Sequence, residues 1–142
     1  MIPVGECVCS VCGVLKDNTE FTFYKDRKTS DGFRLRVNTN CKKCQKNNAK
    51  DLREAKKFAI SIGKPQPDFG ELCDCCDRPV YKDKKSIPLD IVNGTYGWQC
   101  DHEHGTSNFR GWICKPCNTG VGSLGDNVEG LERAIRYLKK GI

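Results

Sequence analysis

Alternating hydrophobic and polar residues predict strands in two parts of the chain. In the first part, a turn signal at Asp31-Gly32 separates two alternating runs, which is the pattern of a β-hairpin. The hydrophobic positions of these runs are Phe21, Phe23, Phe33, Leu35 and Val37. In the second part, residues 98–102 and 108–114 predict short strands on either side of the turn-forming residues 105–107. Residues 82–97, just before them, predict a loop.

Helical spacing of hydrophobic residues predicts two further elements. Residues 45–62 contain no Pro or Gly and predict an amphipathic helix. Its apolar face consists of Ala49, Leu52, Ala55, Ala59 and Ile62. Its opposite face, called the basic face below, consists of Lys46, Lys50, Arg53 and Lys57. Asp126 and Glu129 together resemble a capping box, which predicts a second helix after Asp126. This helix is expected to pack through Val128, Leu131, Ile135 and Leu138.

The cysteine content indicates what stabilises so small a chain. Eleven cysteines occur among 142 residues, and eight of them form four C-x-x-C pairs. The chain starts without an apolar signal-peptide core and has no run long enough to span a membrane, so we expect a cytoplasmic protein. In a reducing compartment such pairs indicate zinc rather than disulfides, and an odd cysteine count fits poorly with full disulfide pairing.

The order of the pairs predicts two structural zinc sites. The first quartet is Cys9, Cys12, Cys41 and Cys44, and the second is Cys73, Cys76, Cys114 and Cys117. Cys7 competes with Cys9 but lacks a C-x-x-C partner, and Cys75 beside Cys76 stays ambiguous. The predicted organisation is a zinc-ribbon-like module over residues 1–44, a basic helix with its linker over 45–70, and a second zinc-stapled α+β domain over 71–142.

The charge distribution adds a candidate partner. The net charge is +6, from 24 basic and 18 acidic residues. Residues 1–69 carry 14 basic and 8 acidic side chains, whereas residues 70–142 carry ten of each, so the whole excess lies in the first half. Such an excess attracts a polyanion, and the basic face suits duplex phosphates, so DNA is the expected partner. An ordinary solvated surface is the alternative explanation of the same charges.

Residues 98–127 carry candidate chemistry for phosphodiester hydrolysis. His102 is the expected general base, because imidazole titrates near neutral pH. Asp101 and Asn118 offer a carboxylate and an amide oxygen to a catalytic Mg²⁺ or Mn²⁺. Arg110 is expected to bind a phosphate through its planar guanidinium, and His104 to assist phosphate binding or to orient the loop.

This assignment has a geometric requirement and an alternative. Adjacent strand residues point to opposite faces, so Asp101 and His102 serve one site only if the strand is twisted or bulged. The alternative is a closed zinc site on Cys100, His102 and His104, which alternate along one strand face. The two cysteine quartets already account for structural metals, and the neighbouring acids favour a hard cation.

The second half resembles one nuclease family. Asp-His-Glu-His, then Arg-Gly-Trp-Ile-Cys-Lys-Pro-Cys-Asn, then Gly-Ser-Leu-Gly-Asp-Asn, is similar to the pattern of the phage recombination endonuclease VII family, a branch of the HNH or His-Me finger nucleases. The resemblance covers residues 72–138 in both identity and spacing. The first half resembles, more loosely, the cysteine-rich module found ahead of phage HNH domains.

The resemblance implies a ββα-metal endonuclease domain over residues 71–142, with DNA as substrate and branched DNA in the best-known members. It implies His102 as general base, Asp101 and Asn118 as ligands of the catalytic metal, and the second cysteine quartet on zinc. A phage source, the host cytoplasm and a homodimer are further implications. Homing or site-specific nicking, and a DNA-binding adaptor with an inactive site, are the alternative functions.

Two departures from the family pattern concern junction resolution rather than nuclease chemistry. Glu103 replaces the family's second aspartate. Val121 stands where some resolving members carry a glutamate, and the C-terminal dimerisation region of those members is shortened here.

Overall fold

A computed structural model describes residues 5–141, so the outermost residues of the predicted modules, 1–4 and 142, lie outside the described residues. The chain forms two compact units, Met1–Arg53 and Glu54–Ile142. The division falls inside the long helix α1, Lys42–Ser61. In the described part of the chain, no helix is both long and apolar enough to cross a membrane.

Two antiparallel hairpins precede α1 in the first unit. The strands are β1 (Glu6–Val8), β2 (Leu15–Asp17), β3 (Phe23–Thr29) and β4 (Gly32–Val37), with β1 paired to β2 and β3 paired to β4. The second hairpin confirms the predicted alternation around Asp31-Gly32. The sequence does not predict the first hairpin, because strands of three residues are too short to show a period.

The core of the first unit is built around sulfur. Its buried residues are Cys9, Phe21, Cys41 and Cys44, and Cys7, Phe23 and Val37 pack against them. A cluster of this size cannot stabilise a module by apolar burial alone. The first unit therefore depends on what its cysteines bind.

Helix α1 begins at Lys42 rather than at the predicted residue 45. The Gln45 amide donates to the Cys41 carbonyl oxygen at 3.0 Å, so the last C-x-x-C pair of the first quartet forms the first helical turn. On the predicted apolar face only Ala55 and Ala59 are fully buried. The apolar stripe is therefore narrower than its sequence pattern suggests.

The second unit contains a strand, strand, helix sequence. Strand β5 (Val80–Tyr81) pairs in parallel with β6 (Thr95–Tyr96), β7 (Trp98–His102) pairs antiparallel with β8 (Phe109–Cys114), and α2 (Lys115–Ser123) follows β8 directly. The hairpin and α2 have the strand, strand, helix order of the ββα-metal fold that the family resemblance implies. The prediction of a loop over residues 82–97 is wrong at its end, where β6 lies, because a two-residue parallel strand leaves no alternation to detect.

A hydrogen-bonded contact joins the third C-x-x-C pair to β8. The Asp74 amide donates to the Trp112 carbonyl oxygen at 3.1 Å, and the Asp74 carboxylate accepts from the Trp112 amide at 2.8 Å. A Cβ atom on Gly111 would lie 2.7 Å from Asp74 Oδ2, closer than real Cβ atoms come. Glycine at 111 therefore permits the carboxylate to lie against the strand.

Helix α3 (Val128–Lys139) departs from prediction in two respects. The N-cap is Asn127, whose Oδ1 accepts from the Gly130 amide at 2.8 Å, so the capping box on Asp126 is wrong. The expected packing face is also largely exposed: Leu131 is half-buried, but Val128 and Leu138 are more than 60% exposed. Helical periodicity identifies an amphipathic face without showing whether anything covers it.

Candidate active site and metal sites

A β-bulge lies where the sequence requires one. Asp101 is paired with Gly111 and His102 with Phe109, so Arg110 is the extra residue on β8. Such a bulge interrupts strict alternation and increases local twist. It lies at the end of β7, where the side chains of Asp101 and His102 are both half-buried. The predicted irregularity between these adjacent residues is therefore present.

Arg110 connects two carboxylates at the bulge. Its Nε lies 2.8 Å from Asp101 Oδ2 and its Nη2 3.0 Å from Asp101 Oδ1, while Nη2 also lies 2.5 Å from Asp126 Oδ1. The hydrogen bonds to Asp101 and then to Asp126 raise the pKa of the guanidinium above its usual value. The predicted phosphate-binding arginine thus lies beside the predicted metal-ligand carboxylate.

Asp126 is a site residue that the sequence analysis assigns to a helix cap. It precedes α3 in the left-handed region, with φ at 52°, a conformation that Asp tolerates better than most residues. Its Oδ2 lies 3.7 Å from His104 Nε2. The only local signal is its position in Gly-Asp-Asn, because its contacts to residues 104 and 110 depend on the tertiary fold.

The two histidines lie next to each other, with ring centroids 5.9 Å apart. His102 Nδ1 lies 3.4 Å from the Cys100 carbonyl oxygen. When Nδ1 carries the proton and faces this carbonyl, Nε2 keeps the lone pair that a general base needs. His104 is exposed on the loop. The geometry therefore distinguishes a partly enclosed His102 from a solvent-facing His104.

Glu103, which departs from the family pattern, belongs to the loop. Its carboxylate accepts from Asn108 Nδ2 at 3.0 Å, and its backbone carbonyl accepts from Thr106 Oγ1 at 3.0 Å. Its backbone amide also donates to the Asn108 carbonyl oxygen at 3.0 Å. These contacts close the turn between β7 and β8, so Glu103 stabilises this loop.

Asn118 lies in α2, directly after Cys117. The helix packs against β6, β7 and β8, and the Asn118 side chain is half-buried. Its amide forms no hydrogen bond within the described part of the chain, so its oxygen is available to a ligand. Carboxylate and amide oxygens are hard donors of the kind that Mg²⁺ and Mn²⁺ prefer, and the joint role of Asp101 and Asn118 as metal ligands stays a prediction.

The first cysteine quartet has the geometry of a metal site. The sulfur atoms of Cys9, Cys12, Cys41 and Cys44 all lie within 4.8 Å of one another. Backbone amide hydrogen bonds from Cys12 and Cys41 lower the pKa of Cys9 to about 6. In contrast, a side-chain hydrogen bond with Cys41 and then burial raise the pKa of Cys44 to about 12. Zinc binding stabilises cysteine sulfurs as thiolates, and four sulfurs this close together fit a structural zinc ion.

The second quartet has the same arrangement. The sulfurs of Cys73, Cys76, Cys114 and Cys117 also lie within 4.8 Å of one another. The Cys114 amide donates to Cys73 Sγ at 3.2 Å. Burial opposes ionisation of Cys76, but the hydrogen bond from Arg78 lowers its pKa to about 7. The two quartets are the ones that the C-x-x-C spacing predicts.

The remaining cysteines lie outside both quartets. Cys7 Sγ donates to Asn18 Oδ1 at 3.1 Å, Cys75 is exposed, and Cys100 is buried in β7. Over residues 5–141 no group of metal-binding side chains combines Cys100 with His102 and His104. The alternative of a closed zinc site on these three residues therefore finds no support.

The basic face of α1 is exposed to solvent. Lys46, Lys50, Arg53 and Lys57 are all exposed. This exposure is compatible both with phosphate binding and with ordinary solvation, so the helix by itself does not decide between them.

Comparisons with known proteins give two matches. The family model for recombination endonuclease VII matches residues 62–140. The crystal structure of the ββα-Me type II restriction endonuclease Hpy99I is similar to this chain with a TM-score of 0.54 and 29% sequence identity. That similarity covers 96% of this chain and 66% of the restriction enzyme, so the chain spans less than two thirds of that enzyme's length. No curated protein matches the chain significantly.

Proposed function

The chain belongs to the recombination endonuclease VII family, and from this premise we propose that it is a metal-dependent DNA endonuclease of the HNH type. The observation that carries the proposal is the bulge between Asp101 and His102, because it lets adjacent residues contribute to one site. The proposed active site draws on residues 98–118 and on Asp126, within a nuclease domain over residues 71–142.

Each side chain of the site has a role that follows from its chemistry. His102 takes the proton of the attacking water, and its Nδ1 contact with the Cys100 carbonyl orients the ring for this step. Asp101 and Asn118 would hold the divalent metal, which when bound would supply Lewis-acid stabilisation to the scissile phosphate and its leaving oxygen. Both residues present oxygen donors, as the fit of Mg²⁺ or Mn²⁺ requires.

Arg110 and His104 bind the phosphates next to the scissile bond. The Asp126 carboxylate holds the guanidinium of Arg110 at 2.5 Å and lies near His104, so it keeps both side chains on the same side of the bulge. Asp126 is a positioning residue in this scheme, since it acts through its two neighbours. A planar guanidinium also suits bidentate phosphate binding.

The zinc sites have a structural role. The first quartet stabilises the zinc-ribbon-like module, residues 1–44, and the second quartet ties the start of the nuclease domain to α2. The basic face of α1, within residues 45–70, adds contacts to duplex phosphates. The protein acts in the cytoplasm, and a homodimer is one arrangement that would allow it to cut both strands.

The proposal is tested with zinc-loaded protein on supercoiled plasmid and on a four-way junction, with Mg²⁺, with Mn²⁺ and without added metal. We expect metal-dependent cleavage that is lost in His102→Ala and Asp101→Ala. The matched control His104→Ala, on the exposed neighbour, is expected to lose much less. Equal cleavage by folded His102→Ala would refute the base assignment.

The DNA structure that is cleaved separates two forms of this function. Family membership favours branched DNA, whereas similarity to a type II restriction endonuclease favours a specific duplex sequence. Preferential junction cleavage would support the first form, and discrete plasmid fragments the second. Binding of DNA without cleavage under any metal would instead support an adaptor with an inactive site.

A further inference from the structure

The hairpin formed by β3 and β4 projects from a fixed base. We call residues 23–37 the basic ribbon. At its base, Phe23 and Val37 pack against the cysteine-rich core of the first unit. Beyond them, every residue from 24 to 36 is exposed. A two-stranded ribbon of this kind is marginally stable by itself, so its base must hold it in place.

Polar contacts fix that base to the start of α1. Gln45 Nε2 donates to Thr22 Oγ1 at 3.0 Å and to the Asn40 carbonyl oxygen at 2.6 Å. The Asn38 amide donates to the Thr22 carbonyl oxygen at 2.8 Å. The side chain of Gln45 is thus hydrogen-bonded to residues that precede and follow the ribbon. The ribbon is anchored at one end and uncovered at the other.

The uncovered part of the ribbon is strongly cationic. It carries Lys25, Arg27, Lys28, Arg34 and Arg36 against Asp26 and Asp31. Arg36 Nε lies 2.8 Å from Asp26 Oδ2, so one acid is already neutralised. The other four cations form no ion pair with any residue that the structure describes. Unpaired cations so close together favour a polyanionic partner.

Apolar side chains lie among these cations. Phe33 is 53% exposed and stands opposite Lys28, and Leu35 is 44% exposed and stands opposite Lys25. Lys25 Nζ lies 4.9 Å from the centroid of the Phe33 ring, a cation–π contact that orders both side chains. The register shift between Lys25 and Lys28 adds twist to the ribbon.

We infer that the basic ribbon inserts into a groove of duplex DNA, an inference that rests on the proposed function and adds a second DNA contact to it. The major groove admits a two-stranded β-ribbon, and at about 3.3 Å per residue a strand of this length reaches across it. Arg27, Lys28 and Arg34 contact phosphates on the groove walls. Phe33 and Leu35 contact sugars and base edges. An apolar protein partner would instead bury unpaired cations, which is costly.

The test is the salt dependence of DNA binding by zinc-loaded full-length protein. Fluorescence anisotropy with a labelled duplex, without added Mg²⁺, compares the parent with the variant Arg27→Gln/Lys28→Gln/Arg34→Gln. We expect weaker binding, on the order of tenfold at moderate salt for each phosphate that the variant no longer binds, and a salt slope smaller by about 0.9 for each such phosphate. The control Arg133→Gln/Arg136→Gln/Lys139→Gln removes the same charge from α3 and is expected to retain the parental slope.

Several outcomes would overturn the inference. One is a parental slope in the ribbon variant, and another is an equal loss of affinity in the α3 control, which would indicate a general charge effect. A larger loss on single-stranded DNA than on duplex would exclude groove insertion. If the triple variant unfolds, Arg34→Gln with rescue by Arg34→Lys replaces it. A ribbon variant that binds and cuts duplex as well as the parent refutes this inference alone, whereas a parent that binds and cuts neither duplex nor junction refutes the proposed function too.

Discussion

Gly130 is the position where the structure makes its sharpest stability prediction. It lies in the first turn of α3, where alanine normally stabilises a helix by up to about 1 kcal/mol relative to glycine. Here a Cβ atom would overlap the carbonyl oxygen of Leu124, at the end of α2, and lie 2.8 Å from its carbonyl carbon. Because both clashes are with backbone, no side-chain rotation relieves them.

The magnitude of the Gly130→Ala effect follows from what must move. To make room, α3 must shift away from Leu124, which weakens the Asn127 cap on the Gly130 amide, a contact worth about 1 kcal/mol. Overpacking against backbone adds roughly 1–3 kcal/mol. After the gain in helix propensity, we expect a net destabilisation of about 1–3 kcal/mol. In a domain of this size that lowers Tm by about 4–8 °C per kcal/mol.

The assay is thermal unfolding of zinc-loaded protein, followed by circular dichroism. Gly120→Ala is a matched control, because Gly120 lies in α2 and a Cβ there would meet nothing within 4 Å. We expect the control to keep or raise Tm and Gly130→Ala to lower it. Asp126 lies in the connection between α2 and α3, which must move to accommodate the new side chain. Gly130→Ala should therefore also reduce DNA cleavage at temperatures well below Tm.

A Gly130→Ala protein at least as stable as the parent would refute this reasoning. It would mean that α3 does not approach Leu124 as closely as described, and the placement of Asp126 beside Arg110 would lose its support. An equal loss of stability in the two variants would instead point to glycine-specific backbone conformations rather than to the clash.

Three further predictions follow from the metal sites and the bulge. Cys76→Ser is expected to leave one bound zinc per chain where Cys75→Ser leaves two, as measured by metal analysis, because only Cys76 lies in a quartet. Gly111→Ala should displace the Asp74 carboxylate and cost about 1–3 kcal/mol in denaturant unfolding; unchanged stability would contradict the close approach. Asp126→Asn should slow single-turnover cleavage about tenfold, with little change in Tm because its ion pair lies near the surface. Parental cleavage by Asp126→Asn would remove it from the site.

Some expectations from the sequence succeed because they depend on local spacing. The C-x-x-C pairs place two thiols at one bend, so spacing selects Cys9 over Cys7, whereas the structure resolves the ambiguity between Cys75 and Cys76. Alternation of hydrophobic and polar residues identifies the strands of the basic ribbon and β7. Because Asp101 and His102 are adjacent, their use in one site requires a bulge, and the pairing of β7 with β8 contains one. These features follow from residues close together in the chain.

Other expectations fail where a distant residue decides the outcome. The capping box fits the sequence around Asp126, yet Asn127 caps α3 and the aspartate lies beside Arg110. The apolar stripe of α3 has helical spacing, yet half or more of the surface of Ile135 and Leu138 is exposed. Periodicity records which face is apolar, and only the folded chain shows whether that face is covered.

The sequence by itself determined the two cysteine quartets and the order of strand, strand and helix, and it predicts the acid, the histidine and the asparagine of the candidate site. Each is set by residue type and spacing within a short segment, where backbone geometry leaves few alternatives. Only the tertiary structure decided that Arg110 binds Asp101 and Asp126 together, and that a side chain at position 130 would overlap the backbone of Leu124. Those features depend on close approaches between segments far apart in the chain, and no local pattern specifies such distances.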